Sequence, residues 1–467
     1  MPAKQEPHPE WSERLLSGLL GLLGTDRFRT DLPTREGYAW DNTGLRWLPQ
    51  GVALPETATE VAAILSLCHQ ARFPVVPRGA GSGNVGGALA VQGGLVLSTQ
   101  RLNRVIEINP ADRLAVVEPG VVNRELQELL APHALFWPPD PSSARVCTVG
   151  GNLAMCAAGP GAVRYGVTRD WVLGLTAVLA DGTIIRCGGR TSKGVVGYDL
   201  TRLLVGSEGT LAVVTQATLK LAPRPEARRQ LRLVFAEVAT ATRAVVELMS
   251  RGDALSAIEF LDAACLGLLR DGGGMAIPVD GRAMLLLEVA GDAAEVGELA
   301  TRTAARVAAL GPLETVVATN AEESRQVWEA REALSPTLKR LAPKRINEDV
   351  VVPVSRLPEL IAGLERISRE SGIPIVNFGH AGNGNIHVNL LVDATDNATM
   401  RRVEPVLKQI FGLVMTLEGS LSGEHGVGVQ KRPFVAMEMD PAALALQKRI
   451  KALFDPRAIL NPGKLLP

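Results

Sequence analysis

The sequence predicts an α+β protein of more than one domain, on three observations. Its 467 residues exceed what one ordinary hydrophobic core holds, which points to two or three domains. The first half carries short apolar runs joined by turn signals, Asn109-Pro-Ala-Asp112 and Asp181-Gly182. Beyond a composition break, Leu221-Ala-Pro-Arg-Pro-Glu-Ala-Arg-Arg229, strand-like and helix-like segments alternate.

The apolar stretch Leu15 to Leu23 is short and broken by Ser17, Gly18 and Gly21, and no basic run precedes it. It reads as an amphipathic surface helix rather than a signal peptide or a spanning helix. Thr57 and Glu60 form a capping box before a helix that runs through Leu67. A strand over Pro74–Pro77, the glycine-rich loop Arg78–Gly87 and a strand over Gly94–Thr99 follow. Hairpins pair Val105–Ile108 with Ala115–Glu118 and Val172–Leu179 with Thr183–Cys187, and Leu211–Leu221 is a further strand. Past the break the strands are Leu231–Phe235, Ala254–Phe260, Met284–Val289, Thr315–Thr319 and Val350–Val352. Helices over 239–251, 292–309, 321–340 and 356–370 lie between them, and Ile373–Phe378 pairs with Ile386–Val392. This pattern predicts sheets of short antiparallel strands covered by helices on one face.

Lys+Arg and Asp+Glu each total 49, so net charge gives no reason to expect nucleic acid or an anionic membrane as partner. The cysteines Cys68, Cys147, Cys156, Cys187 and Cys265 form no CxxC pair. They are expected as free thiols in a reducing compartment, and they supply no iron–sulfur ligand set.

Gly79-x-Gly81-x-Gly83 is no dinucleotide fingerprint, because it runs into a strand where that fingerprint opens a helix. Its amides could cradle a diphosphate, or the loop could be a tight turn without a ligand. A second cluster, Pro138 to Ala154, and a third, Gly206 to Leu211, favour an extended cofactor lying across the first half. Near the C-terminus, His380 and His387 flank Ala-Gly-Asn-Gly-Asn-Ile, and Glu424-His425 follow in SGEHGVG. Three of the protein's six histidines therefore sit in two glycine-rich stretches. By themselves the first two could be structural. With Glu424 they make a first shell for a divalent ion, and His425 is a base near neutral pH.

Taken in order, PRGAGSGNVGG, TVGGNLA with AVRYG, GYDLTRLLVGSEGTLAVVT, NFGHAGNGNIHVN, SGEHGVG and FDPRAILNPGK resemble the FAD-linked 2-hydroxy-acid dehydrogenases. That group takes in D-lactate dehydrogenases, D-2-hydroxyglutarate dehydrogenase and the flavin-carrying D subunit of glycolate oxidase, all of the vanillyl-alcohol-oxidase type. The resemblance runs from residue 50 to the end. It implies an α+β fold with a two-subdomain FAD-binding domain of that type and a C-terminal ferredoxin-like α+β cap domain. The expected division is an N-terminal helical segment (1–48), an FAD-binding domain (49–225), a substrate domain (226–410) and a helical segment returning to the flavin (411–467).

Carried over by motif, Arg78, Gly79, Ala80, Gly81 and Ser82 would hold the pyrophosphate through main-chain amides. Thr148, Gly151 and Asn152 would contact the flavin and diphosphate, Glu208 and Val214 would lie near the adenosine end, and Asn461 would return to the flavin. Asp140, Arg164 and Gly209, from the same motifs, complete the implied set. The first loop has no histidine to tether a flavin, so FAD is expected to bind non-covalently.

The resemblance implies oxidation of a D-2-hydroxy acid of D-lactate or glycolate type, by hydride transfer to flavin N5. His380, His387 and Glu424 would hold Zn or Mn, and His425 would be the base. Arg331 would clamp the substrate carboxylate, with Ser335 one helical turn on; without the family this stretch reads as a solvated helix face. Asn347-Glu348-Asp349 stands where relatives acting on dicarboxylates have a lysine, which favours a monocarboxylate. The alternative is a flavin-carrying electron-transfer subunit of a multi-subunit glycolate oxidase-type complex. A metallohydrolase would leave the upstream glycine loops unexplained. Expected partners are the hydroxy acid and an electron acceptor: a quinone, a cytochrome or a partner subunit. Neither nucleic acid nor a transmembrane segment is expected, and a homodimer is open. The expected location is the cytoplasm, with peripheral attachment to the inner membrane as an alternative.

Overall fold

The computed structural model describes residues 9–250, 255–271, 276–320, 322–328 and 344–467. They fall into two compact units: residues 9–158, 167–224 and 424–467, and residues 159–166 with the described residues of 225–423.

The first unit contains two principal sheets, each with its own core. A four-stranded sheet has the order Phe28–Arg29, Gly51–Ala53, Leu95–Ser98, Val75–Arg78, and its last three strands are parallel. The parallel pairing requires a crossover, which the helix Ala58–Ala71 supplies. Thr57 caps that helix by accepting the Glu60 amide (3.1 Å), as the sequence pattern predicts. Val61, Ile64, Leu65 and Cys68 pack with Leu15, Leu19 and Leu23 of the helix Glu13–Arg27. One face of the N-terminal helix is thus buried, as its spacing implies. The second sheet is antiparallel: Val105–Asn109, Leu114–Val117, Val213–Lys220, Val172–Val178, Ile184–Gly188. Both predicted hairpins are present in it. Its core gathers Leu126, Trp137, Leu153, Leu175, Leu204 and Leu219.

The second unit is built on a seven-stranded antiparallel sheet. Its order is Glu314–Val317, Ala227–Phe235, Ala283–Gly291, Leu255–Leu261, Ile375–His380, Asn385–Val392, Lys344–Val351. Four helices, Val238–Ser250, Val296–Val307, Leu357–Ser371 and Asn397–Thr416, accompany it. Leu261, Met284, Leu286, Val376 and Phe378 pack against the helix Ala263–Asp271 in a separate cluster.

Two helices lie where the sequence reading assigned no element. Val149–Met155 forms inside the second glycine cluster, where Thr148 supplies the cap. Asn397–Thr416 carries Pro405 in its interior, yet Val403, Val406, Leu407, Ile410 and Val414 bury a continuous stripe. Among the described residues no helix is long and apolar enough to cross a membrane. All five cysteines are free thiols, and Cys68, Cys147 and Cys265 are buried.

Candidate functional site

One cavity of the first unit is lined by Arg78, Gly79, Ala80, Gly81 and Ser82 of the first glycine loop and by Thr148, Gly151 and Asn152 of the second cluster. Glu208, Gly209 and Val214 of the third cluster line it too, with Glu424 and His425. Segments scattered over the chain therefore converge on one space. Asn461 is buried beside it, and its Nδ2 donates to the Gly87 carbonyl (2.9 Å). Asp140 is exposed just before the lining begins at Pro141. Arg164 lies in the second unit, where it donates to the Ala290 carbonyl (2.5 Å).

The sequence explains the close approach of the first two clusters. Thr148 Oγ1 accepts the Gly151 amide (3.3 Å) and so opens the helix Val149–Met155. A Cβ at position 79 would strike that hydroxyl, so only glycine lets the loop lie against the helix cap. Asn152 is buried, with Oδ1 accepting from Asn123 Nδ2 (3.1 Å) and Nδ2 directed to Cys147 Sγ (3.3 Å). The buried Arg78 guanidinium donates to the Trp40 carbonyl (2.7 Å) and lies 5.5 Å from the Tyr38 ring. Burial pushes its pKa down. Its bonds to carbonyls fix the loop, and the amides of a glycine-rich turn remain the natural cradle for a diphosphate. These residues fit FAD.

His425 is half-buried on the same cavity, and its Nε2 lies 3.1 Å from Asn84 Nδ2. Asn84 is oriented in turn, because its Oδ1 accepts from Asn42 Nδ2 (2.5 Å). Sequence reasoning did not single out Asn84; its signal was the lone amide side chain in a glycine-rich run. Glu208 is buried at a left-handed φ of 54°, and its carboxylate accepts the Val427 and Gly428 amides (2.6 and 2.8 Å). Burial pushes its pKa up, while those two amides oppose the shift.

In the second unit, His380 and His387 lie on adjacent antiparallel strands and are both buried. Their rings meet edge to face with centroids 5.1 Å apart, and their ligand-capable atoms are within 4.8 Å of each other. His380 Nδ1 lies 2.5 Å from Oε1 of Glu259, which is buried on the neighbouring strand Leu255–Leu261. A proton held between them leaves Nε2 of His380 as the nitrogen able to bind a metal. Asp349 sits across from His387 in register. It accepts from Asn385 Nδ2 (2.6 Å), Ser422 Oγ (3.1 Å) and the Gly423 amide (3.0 Å). It thereby fixes the residues that lead into Glu424. The donor chemistry of two buried imidazoles suits a borderline divalent ion. Glu259 was signalled as a single carboxylate in the apolar strand LSAIEFL, where a buried charge demands a partner. Arg331 and Ser335 lie outside the described residues.

Residues 49–188 match the family model described as an FAD binding domain, and residues 224–465 match FAD linked oxidases, C-terminal domain. The chain is 37% identical to the glycolate oxidase subunit GlcD of Bacillus subtilis, covering 96% of this chain and 95% of the relative. It is 34% identical to a D-lactate dehydrogenase of Archaeoglobus fulgidus, covering 93% of this chain and 96% of that one. Among solved structures, p-cresol methylhydroxylase with substrate bound superposes with a TM-score of 0.81 at 17% identity, covering 96% of each chain. Alkyldihydroxyacetonephosphate synthase superposes with a TM-score of 0.74 at 18% identity, over 98% of this chain and 87% of the other. The last two likenesses concern the fold alone, which is of the vanillyl-alcohol-oxidase type. The glycine clusters that converge on one cavity thus have a bound group to serve, and the chain belongs to the FAD-linked oxidase family of oxidoreductases.

Proposed function

We propose that this FAD-linked oxidoreductase oxidises a D-2-hydroxy acid of the D-lactate or glycolate type to the 2-oxo acid. The reading is carried by the His380–His387 pair, backed by buried Glu259, in a chain whose relatives are named for glycolate and D-lactate. Non-covalent FAD, held by the three glycine clusters, supplies the acceptor for the hydride that leaves Cα. His425 takes the hydroxyl proton on its ring. By the family resemblance His380, His387 and Glu424 would hold Zn or Mn, and the ion would supply Lewis acidity toward the hydroxyl oxygen. Arg331 binds the carboxylate through its planar guanidinium, and Ser335 adds a hydrogen bond. The absence of a lysine at Asn347-Glu348-Asp349 favours a monocarboxylate. Electrons leave to a quinone, a cytochrome or a partner subunit.

His425→Ala tests the central step. The variant should keep FAD bound while its reduction by substrate under anaerobic conditions falls by roughly a hundredfold or more, the usual contribution of a general base. Reduction at the wild-type rate would remove His425 from the role. A second reading, that this chain is the flavin-carrying member of a complex, is favoured by the description of the Bacillus subtilis relative as a subunit. Turnover of the purified chain with an artificial acceptor separates the two.

A further inference from the structure

We infer that Glu208 is a positioning residue for the loop that carries His425. The inference rests on the reading of His425 as the base, and it deepens that reading.

Four features of the first unit carry it. The Glu208 carboxylate accepts two consecutive loop amides, Val427 at 2.6 Å and Gly428 at 2.8 Å. Both oxygens are used, so the loop is gripped at two points and its backbone direction is set just after His425. Glu208 is itself fixed through its backbone. Its amide donates to the Ala154 carbonyl (2.9 Å) of the helix Val149–Met155, and its carbonyl accepts from Asn461 Nδ2 (2.7 Å). Finally, Gly426 has no room for a side chain: at φ 82°, a Cβ there would come within 2.9 Å of the Glu208 carboxylate. The loop lies directly on Glu208, which ties it to the helix of the second glycine cluster.

A carboxylate is the side chain suited to this task. It offers only acceptors, and two adjacent N–H groups need two of them. Hydrogen bonds from amides to a charged acceptor are worth more than neutral ones, and burial protects them from water. In Glu208→Gln the amide group can accept one N–H, but its own NH₂ then faces the other, and a buried donor is left unsatisfied. The substitution is isosteric, so the cavity wall keeps its volume.

The experiment compares the holoenzyme with Glu208→Gln, Glu208→Ala and His425→Ala. Hydrogen exchange of the Val427 and Gly428 amides is measured first. Anaerobic flavin reduction at saturating D-lactate or glycolate and the FAD dissociation constant follow. The inference expects exchange at these two amides in Glu208→Gln to rise roughly tenfold or more, as loss of a charge-assisted bond implies. It also expects the limiting reduction rate at saturating FAD to fall by a similar factor. Unchanged exchange would overturn the inference whatever the role of His425. Faster exchange with an unchanged rate would overturn it too, provided His425→Ala is slow; if His425→Ala is equally fast, the base assignment falls. Weaker FAD binding with an unchanged reduction rate would assign Glu208 to the cofactor instead. If Glu208→Ala does not fold, Glu208→Gln decides alone.

Discussion

Oε1 of Glu259 lies 2.5 Å from Nδ1 of His380, and Glu259 has no exposed surface. A buried carboxylate against one imidazole nitrogen fixes the ring and its tautomer, and raises the basicity of the other nitrogen. Glu259→Gln should therefore weaken binding of Zn or Mn by roughly ten- to a hundredfold. Competition against a chromophoric chelator measures this without turnover. Unchanged affinity would return Glu259 to a purely structural role.

Gly79→Ala should disturb the cofactor site through Thr148. The new Cβ meets the Thr148 hydroxyl, which caps the helix Val149–Met155. Losing a cap costs about 1 kcal/mol, and the loop must move as well. The expected result is an FAD dissociation constant raised roughly tenfold or more, read from flavin fluorescence on titration into apoprotein. A dissociation constant equal to wild type would mean the loop does not carry the cofactor.

Lys464 gives a pH signature. It is buried, with its ammonium donating to the Leu89 carbonyl (2.6 Å) and to Asn461 Oδ1 (3.2 Å). Burial pushes its pKa down to about 7, against the pull of Glu208 and Asp41. Between pH 7 and the ordinary lysine value, about 10.4, the unfolded chain holds a proton that the folded one lacks. The contribution of Lys464 to stability therefore rises with pH through that window and is flat below it. Lys464→Met should show this by difference: denaturant unfolding of wild type relative to the variant should improve from pH 7 upward. A difference independent of pH would contradict the burial of the amine.

Arg331→Ala should raise KM for the hydroxy acid by roughly ten- to a hundredfold, the loss expected of a charge-assisted clamp. Steady-state kinetics with an artificial acceptor measure it. An unchanged KM would place Arg331 on an ordinary solvated helix face.

The local elements were legible because their signals are local. Thr57 and Glu60 announce the helix Ala58–Ala71, and Asp181-Gly182 announces the hairpin between Val172–Val178 and Ile184–Gly188. The glycine clusters announced a cofactor, and they line one cavity. The helix Val149–Met155 was not legible, since Gly150 and Gly151 are poor helix formers and its Val149 and Leu153 pack into a core drawn from distant parts of the chain. Glu259 lies 121 residues from His380, and Glu208 lies 219 from Val427. No periodicity or spacing encodes pairings over such distances; only the folded chain brings them together.

D-2-hydroxy-acid oxidation is tested by the flavin absorbance of the purified protein, mixed anaerobically with matched D- and L-2-hydroxy acids. The expected result is a yellow protein bleached by D-lactate or glycolate and left unchanged by L-lactate. A yellow protein that no hydroxy acid bleaches anaerobically, and that reduces no artificial acceptor when supplied with those acids, would overturn the reading.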